Sequence, residues 1–136
     1  VFCRLLEHCG AASAASVALI DECLVDAEEL IRNTFGHYVA KTILEHGTAE
    51  QRRCICEALY SCPAVGRGAC SNHAGHRTFG ITRNAVHRNA SYVMEKALES
   101  GPAEDAAALA RELLSKGSVV EIAQSPSGSH VVKALL

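Results

Sequence analysis

Residues 35–47, FGHYVAKTILEHG, form the stretch that decides the fold, because the chain contains it more than once. A second full copy is NASYVMEKALESG at 89–101. Shorter copies open and close the chain: VFCRLLEHC at 1–9 and SGSHVVKALL at 127–136. Four copies of one segment predict a repeat protein.

Each copy has the pattern of an amphipathic helix. At about 100° per residue, the copy at 35–47 separates into an apolar and a polar arc. The apolar arc holds Val39, Ala40, Ile43 and Leu44, and the polar arc holds His37, Tyr38, Lys41, Thr42 and Glu45. A single helix of this kind indicates only a core helix with a solvated back.

A flat ring recurs at one position of the polar arc, which solvent exposure does not require. Tyr38, Tyr92 and His130 occupy equivalent places in three copies. The chain has only three Tyr and no Trp, so two of its three Tyr lie at this position. Rings repeated along one face predict a platform on which bases stack.

The spacing of the copies defines the organisation of the chain. Cys3, Lys41, Glu95 and Lys133 are equivalent and lie 38, 54 and 38 positions apart. The surplus of the middle interval falls in 61–82, which lacks helical periodicity and is predicted to be a surface loop. We therefore predict one partial repeat domain over 1–136, in which each repeat ends with one of the copies. The predicted segments are the end of one repeat at 1–10, a repeat at 11–47, a repeat with the insertion at 48–101, and a truncated repeat at 102–136.

Local signals support the helices between the copies. Thr48-Ala49-Glu50-Gln51 is a capping box that predicts a helix through Tyr60. A further helix is expected over 103–116, with Leu109 and Leu113 inward. Since the chain opens and closes within helices, we expect it to be a segment of a longer protein.

Charge, cysteine content and the length of apolar runs restrict the kind of protein that the chain can be. The net charge is −2, but Arg4, Lys41, Lys96 and Lys133 all fall on the polar arcs, which suggests a basic face on an acidic body. Seven cysteines without framework spacing favour reduced thiols in the cytosol or nucleus. No apolar run has the length of a membrane span, so no membrane partner is expected.

No pattern in the chain predicts catalysis. It has no Gly-rich phosphate loop, no metal-binding helix motif and no spaced nucleophile and base, so we expect neither an enzyme nor a cofactor. Cys62, Cys70, His73 and His76 lie close together in the sequence. Their spacing fits none of the usual zinc patterns, and no metal site is predicted.

The chain resembles the Pumilio (PUF) family of RNA-binding repeat proteins everywhere except in 61–82. The most specific parts are Phe35-Gly36-His37-Tyr38-Val39, Leu44-Glu45-His46-Gly47 and Ser91-Tyr92-Val93-Met94-Glu95-Lys96. The resemblance implies an all-α, right-handed solenoid of three-helix repeats. The last helix of each repeat would line a concave surface that reads one RNA base.

Carried over by position, the resemblance implies a set of base-reading residues. The pairs that contact base edges are His37 with Lys41, Ser91 with Glu95, and Ser129 with Lys133. The stacking residues are Tyr38, Tyr92 and His130, and Cys3, with Arg4 beside it, remains from a fourth pair. The Ser-and-Glu pair selects guanine in the family and marks its C-terminal repeats.

The two flanking pairs depart from the family pattern, which places Asn and Gln there to select uracil. Lysine can only donate hydrogen bonds, so it cannot replace a glutamine that both donates and accepts. We expect Lys41 and Lys133 to contact phosphate or any available acceptor.

The expected function is selective binding of single-stranded RNA, most plausibly a messenger RNA 3′ untranslated region, for post-transcriptional control in the cytoplasm. Protein partners on the convex face are a further expectation. The alternative is a degenerate helical scaffold that binds protein, or RNA without sequence preference, as in ribosome assembly in the nucleus or nucleolus.

Overall fold

The computed structural model describes residues 1–9, 13–61, 73–115 and 118–136, with the backbone alone for 73–78 and for residue 118. Every regular element in these ranges is helical. The helices are α1 (Phe2–Cys9), α2 (Ala14–Cys23), α3 (Ala27–Arg32), α4 (Gly36–His46), α5 (Ala49–Tyr60), α6 (His73–Val86), α7 (Ala90–Ser100), α8 (Ala103–Leu114), α9 (Ser118–Gln124) and α10 (Gly128–Leu135). A 3-10 turn over Leu24–Asp26 joins α2 to α3. Over the same ranges, no helix combines the length and the apolar character needed to cross a bilayer.

The helices form successive three-helix units. The units are α2 to α4, α5 to α7 and α8 to α10, and α1 takes the place that α4, α7 and α10 hold in their own units. Within this arrangement α1 packs on α4, α4 on α7 and α7 on α10. We call these four the face helices. The predicted all-α solenoid is confirmed, because each unit contacts its neighbours through a continuous layer.

The apolar arcs of the copies supply the core. Ile43 and Leu44 of α4 and Val93 and Met94 of α7 are fully buried. The helices behind them contribute a second set of fully buried side chains: Ile31, Ile55, Leu59, Leu109, Leu113 and Ile122. The predicted inward positions of α8, Leu109 and Leu113, are among them, so the core runs unbroken from unit to unit.

The turns before the face helices are capped in the same way in two units. The Asn33 Oδ1 accepts from the N–H groups of Phe35 and Gly36, at 2.8 and 3.0 Å. At the equivalent position, His87 Nδ1 accepts from the N–H groups of Asn89 and Ala90, at 3.2 and 3.3 Å. These bonds satisfy donors that the first helical turn leaves free. They start α4 and α7 in the same geometry.

The predicted capping box at the start of α5 is present, and its glutamine also bonds to α2 of the preceding unit. The Gln51 N–H donates to Thr48 Oγ1 at 3.2 Å, and the Thr48 N–H donates to Gln51 Oε1 at 3.0 Å. Gln51 Nε2 also donates to Asp21 Oδ1 at 2.8 Å and to the Val17 carbonyl at 3.3 Å. A single buried side chain therefore caps α5 and fastens it to α2.

The prediction of a surface loop over 61–82 is wrong for 73–82, which lie in α6. This helix has 14 residues, against six in α3 and seven in α9. Ile81 is buried, and Gly80 lies against the Tyr60 carbonyl, where a Cβ would collide. Once Gly80 and Ile81 are packed, extending the helix toward its N-terminus adds one hydrogen bond per residue without new nucleation.

The remainder of the predicted loop lies outside the described residues. This holds for 62–72, and so for Cys62 and Cys70. The side chains of His73 and His76 lie outside the described part as well. The expectation that these four residues do not form a zinc site therefore stays a prediction.

A polar cluster holds the junction between the first two units, at the C-terminal end of α5. Asn84 Nδ2 donates to the carbonyls of Leu59 and Ser61, at 2.8 and 3.2 Å. Arg32 also donates to the Ser61 carbonyl, at 3.0 Å, and Asn89 Nδ2 donates to the Arg32 carbonyl at 2.7 Å. These bonds fix the end of α5 and allow α7 to stack on α4 as α10 stacks on α7.

Candidate nucleic-acid interface

The exposed sides of the face helices carry three rows of side chains. Residues one helical turn apart share a side of a helix, and equivalent positions on neighbouring helices lie next to one another. The ring row contains Tyr38, Tyr92 and His130. The middle row contains Cys3, Lys41, Glu95 and Lys133, and the acid row contains Glu7, Glu45 and Glu99.

The ring row is continuous across three units. The centroids of Tyr92 and His130 are 5.5 Å apart with the planes inclined at 42°. The His37 ring connects Tyr38 to Tyr92: its centroid is 4.0 Å from that of Tyr38 and 6.0 Å from that of Tyr92. Tyr38 is 58 % exposed and Tyr92 is 37 % exposed. The fold thus brings the predicted stacking residues together and keeps ring surface accessible.

The rings are too close to hold a base between them without moving. Aromatic rings in direct contact have centroids about 4.5–7 Å apart, so two rings at such a distance leave no space for a base between them. The Tyr92 and His130 centroids are only 5.5 Å apart. A base can enter between these two rings only when they separate.

The first residue of each predicted edge-reading pair is bonded to the turn before its helix. His37 Nδ1 lies 3.1 Å from the Asn33 carbonyl oxygen. Ser91 Oγ donates to the Arg88 carbonyl at 3.3 Å, and Ser129 Oγ donates to the Pro126 carbonyl at 2.9 Å. Because a carbonyl only accepts, the Nδ1 proton of His37 and the hydroxyl protons of Ser91 and Ser129 are donated to these carbonyls. Nε2 of the neutral His37 ring and a lone pair on each serine oxygen remain as acceptors.

Three polar-arc residues are buried, contrary to the predicted division of the helices. His37 is 5 % exposed, Ser91 is fully buried and Thr42 is 8 % exposed. The neighbouring face helix covers them, since α4 packs between α1 and α7. Periodicity along one helix distinguishes an apolar side from a polar side. It does not show that a parallel neighbouring helix will bury part of the polar side.

Lys41 reaches from α4 toward the ring row of the next unit. Its Nζ lies 5.9 Å from the centroid of the Tyr92 ring, within the range of a cation–π contact. Glu95, which follows Tyr92 by three residues, lines the same groove. Lys133 on α10 is exposed.

An ion pair joins the acid row to the adjacent unit. Lys96 Nζ contacts Glu45 Oε1 across α7 and α4. The hydrogen bond from Lys96 lowers the pKa of Glu45, and the same bond raises the pKa of Lys96. Arg4 makes a second pair within α1, at 3.1 Å from Glu7. Both cations are therefore engaged by carboxylates.

The rows enclose a groove of about 410 Å³ between α1, α4 and α7. It is lined by Cys3, Glu7, Tyr38, Lys41, Thr42, Glu45, Tyr92, Glu95, Lys96 and Glu99. Four glutamates outnumber two lysines, so the basic face expected from the sequence is not what this groove presents. The acid row was missed as a feature of the site, although Glu recurs at this position in three copies.

The cysteines that the structure describes are free thiols: Cys3, Cys9, Cys23, Cys54 and Cys56. Burial is the main factor that raises the pKa of the Cys56 thiol to about 12, which keeps it protonated. Among the described side chains, no three His, Cys, Asp or Glu are grouped to hold a metal ion.

Known repeats match the chain over most of these helices. The family model for the Pumilio-family RNA-binding repeat matches residues 27–59, 85–114 and 118–136. The chain belongs to the Pumilio family. The matched segments of this Pumilio chain leave out 60–84, the interval that contains the surplus residues.

A solved structure agrees with the fold of these Pumilio repeats. The chain is similar to the protein in a crystal structure of PUF-8 in complex with PBE-RNA, with a TM-score of 0.75 and 23 % sequence identity. The similarity covers 99 % of this chain and 35 % of the other, so the Pumilio chain spans about a third of that protein's length. No curated protein sequence matches it.

Proposed function

We propose that this Pumilio chain binds single-stranded RNA on its face helices and selects particular bases. The observation that carries the proposal is the ring row, which joins three units and lies beside a middle row of hydrogen-bonding side chains. Rings from successive helical repeats suit successive unstacked bases, and the polar row suits their edges. The proposed target of the chain is the 3′ untranslated region of messenger RNA in the cytoplasm, where binding alters the translation or stability of that RNA.

Of the sites on the face helices, the α7 site is best suited to recognise one kind of base, guanine. The Glu95 carboxylate accepts from both the N1–H and the exocyclic amine of guanine, whereas adenine offers no such pair of donors. Ser91 Oγ donates its proton to the Arg88 carbonyl and is fully buried, so Glu95 carries the selection of guanine. Tyr92 supplies the stacking surface.

The charge of the groove supports base reading over unselective binding. RNA binding without sequence preference depends on cations that neutralise phosphates. The glutamates of the groove repel phosphate and so leave stacking and edge contacts as the source of affinity. They also favour the second candidate function, a scaffold that binds a basic protein partner.

Selection of the full 136-residue chain against a randomised RNA pool tests the proposal. We expect one strongly enriched guanine flanked by positions with weaker preferences. Recovery of RNA without an enriched motif, or no recovery of RNA, would contradict the proposal. Binding of a basic protein and not of RNA would support the scaffold. Thermal unfolding of the chain used for selection checks that it is folded.

A further inference from the structure

The α4 site combines a hydrogen-bond donor and an acceptor that the sequence alone does not assign. His37 Nδ1 faces the Asn33 carbonyl at 3.1 Å, so in the neutral ring the proton lies on Nδ1 and Nε2 is an acceptor. Lys41, one turn along the same side, provides only donors. The pair therefore presents one acceptor and one donor to a base that enters beside Tyr92.

The orientation of that base follows from the neighbouring site, and this step rests on the proposed function. Lys41 is equivalent to Glu95, which faces the side of guanine that carries N1–H and the amine. A base at the α4 site that lies in the same orientation turns this side toward Lys41. A donor there requires an acceptor on the base, which N1 of adenine and N3 of cytosine supply. Guanine carries only N–H groups on this side, so Lys41 disfavours it. Uracil carries an N–H at N3 but an acceptor at O2, so discrimination against uracil depends on His37.

The acceptor on His37 distinguishes the same two bases. Next to N1 or N3, adenine and cytosine carry an amine, which donates to Nε2. Guanine and uracil carry a carbonyl oxygen there, which would oppose a lone pair. We propose that His37 and Lys41 select an amino base, adenine or cytosine, over guanine and uracil.

The position of both side chains supports a role at the base edge. Lys41 Nζ lies 5.9 Å from the Tyr92 centroid, at the surface on which the base would stack. His37 is 5 % exposed and packed between Tyr38 and Tyr92, so the base reaches Nε2 only when these rings part.

Binding of the full 136-residue chain to short RNAs tests the proposal. Each RNA carries one guanine, and the bases on its 5′ and 3′ sides are varied separately. We expect one of these positions to favour adenine and cytosine over guanine and uracil by on the order of tenfold. His37→Phe, which keeps a ring, should remove the discrimination against uracil, and Lys41→Met, which keeps the stem, should reduce the discrimination against guanine. Both variants should leave the guanine preference of the α7 site intact.

Arg53→Met is the matched control, because it removes an exposed cation on α5, outside the face helices. It should leave the amino-base preference unchanged. A guanine preference without an amino-base preference would overturn the inference and leave the proposed function standing, as would an equal loss of affinity for all four bases in Lys41→Met. Absence of RNA binding altogether would overturn the proposed function itself.

The tautomer of His37 gives a readout that does not depend on RNA or on variants. Nitrogen-15 NMR spectra of the imidazole at neutral pH should show a protonated Nδ1 and an unprotonated Nε2. The opposite tautomer would remove the acceptor from the α4 site and overturn the inference.

Discussion

At the scale of single residues, short bonds to the preceding turn set the chemistry of each site. His37, Ser91 and Ser129 all commit a proton to a backbone carbonyl, at 3.1, 3.3 and 2.9 Å. Three different sites thereby acquire an acceptor with a defined direction. In α7 and α4 the residue four positions later then decides which base edge complements the site: a carboxylate in α7 and an amine in α4.

Glu95→Gln should abolish the guanine preference of the α7 site. Glutamine replaces one of two acceptor oxygens with a donor, which opposes the N1–H or the amine of guanine. The lost discrimination should be about 1–3 kcal/mol, measured by binding to RNAs that differ at this base alone. Glu99→Gln, one turn away on α7, makes the same charge change and should keep the preference. An unchanged preference in Glu95→Gln would show that another residue reads this base.

Lys133→Gln should weaken RNA binding mainly at low salt. Lys133 is exposed on α10, which suits contact with phosphate. Loss of one such contact lowers the slope of log affinity against log salt by about 0.7 for single-stranded nucleic acid. Titrations at several salt concentrations measure this slope. An unchanged slope together with an altered base preference would assign Lys133 to a base edge.

At the scale of elements, buried polar side chains decide how helices begin and where they lie. Gln51 closes the capping box of α5 and reaches Asp21 on α2, while Asn84 ties α6 to the end of α5. Both are almost fully buried. The Asn84 bond therefore holds α6 against the end of α5.

Gln51→Met should destabilise the chain by about 2 kcal/mol. Methionine matches the length of glutamine but removes its hydrogen bonds to the Thr48 N–H and the Asp21 carboxylate, and a typical hydrogen bond contributes about 0.5–1.5 kcal/mol. Urea unfolding gives the free energy. Glu50→Met, at an exposed position of the same turn, should change it by less than about 0.5 kcal/mol. Equal effects at the two positions would contradict the role given to the cap.

Ile81→Ala should destabilise the chain by about 2–5 kcal/mol, as expected for a fully buried isoleucine. This separates the helix from the surface loop that the sequence suggested, in which the substitution would be nearly neutral. Phe79→Ala, two residues away and half exposed, serves as the control and should cost much less. Thermal or urea unfolding monitored by circular dichroism measures both variants.

At the scale of the whole molecule, the units are joined by contacts between equivalent helices. The Glu45 and Lys96 pair and the row of rings both cross from one unit to the next. In a solenoid, such contacts between neighbours carry the stability of the array and its cooperativity. The rings that couple the units are the same rings that must separate to admit bases.

A double-mutant cycle of Glu45→Gln and Lys96→Met should give a coupling below about 1 kcal/mol at neutral pH, since the pair is partly exposed to solvent. The pKa of Glu45 is lower in the folded chain than in the unfolded one. The stabilisation is therefore complete above the unfolded pKa and disappears as the pH falls through the folded pKa. Urea unfolding across the acidic range measures this, and a coupling that persists in strong acid would contradict the assignment.

The repeat architecture is determined by the sequence alone, because its evidence is local. The copies at 35–47 and 89–101 place apolar residues at helical intervals, and any chain with this pattern buries them against neighbouring copies. The stacking rings, Tyr38, Tyr92 and His130, were found in the same way. Their equivalence in sequence becomes adjacency in space as soon as the copies stack.

The length of α6, the burial of His37 and Ser91 and the acidic groove were decided by the tertiary structure. Gly80 and Ile81 form part of a helix only because the end of α5 lies against them, and His37 is covered only because α7 packs beside α4. The lysines of the polar arcs suggested a basic face, but Lys96 is engaged by Glu45 from another unit. Each of these outcomes depends on residues distant in the chain, which periodicity within one segment does not encode.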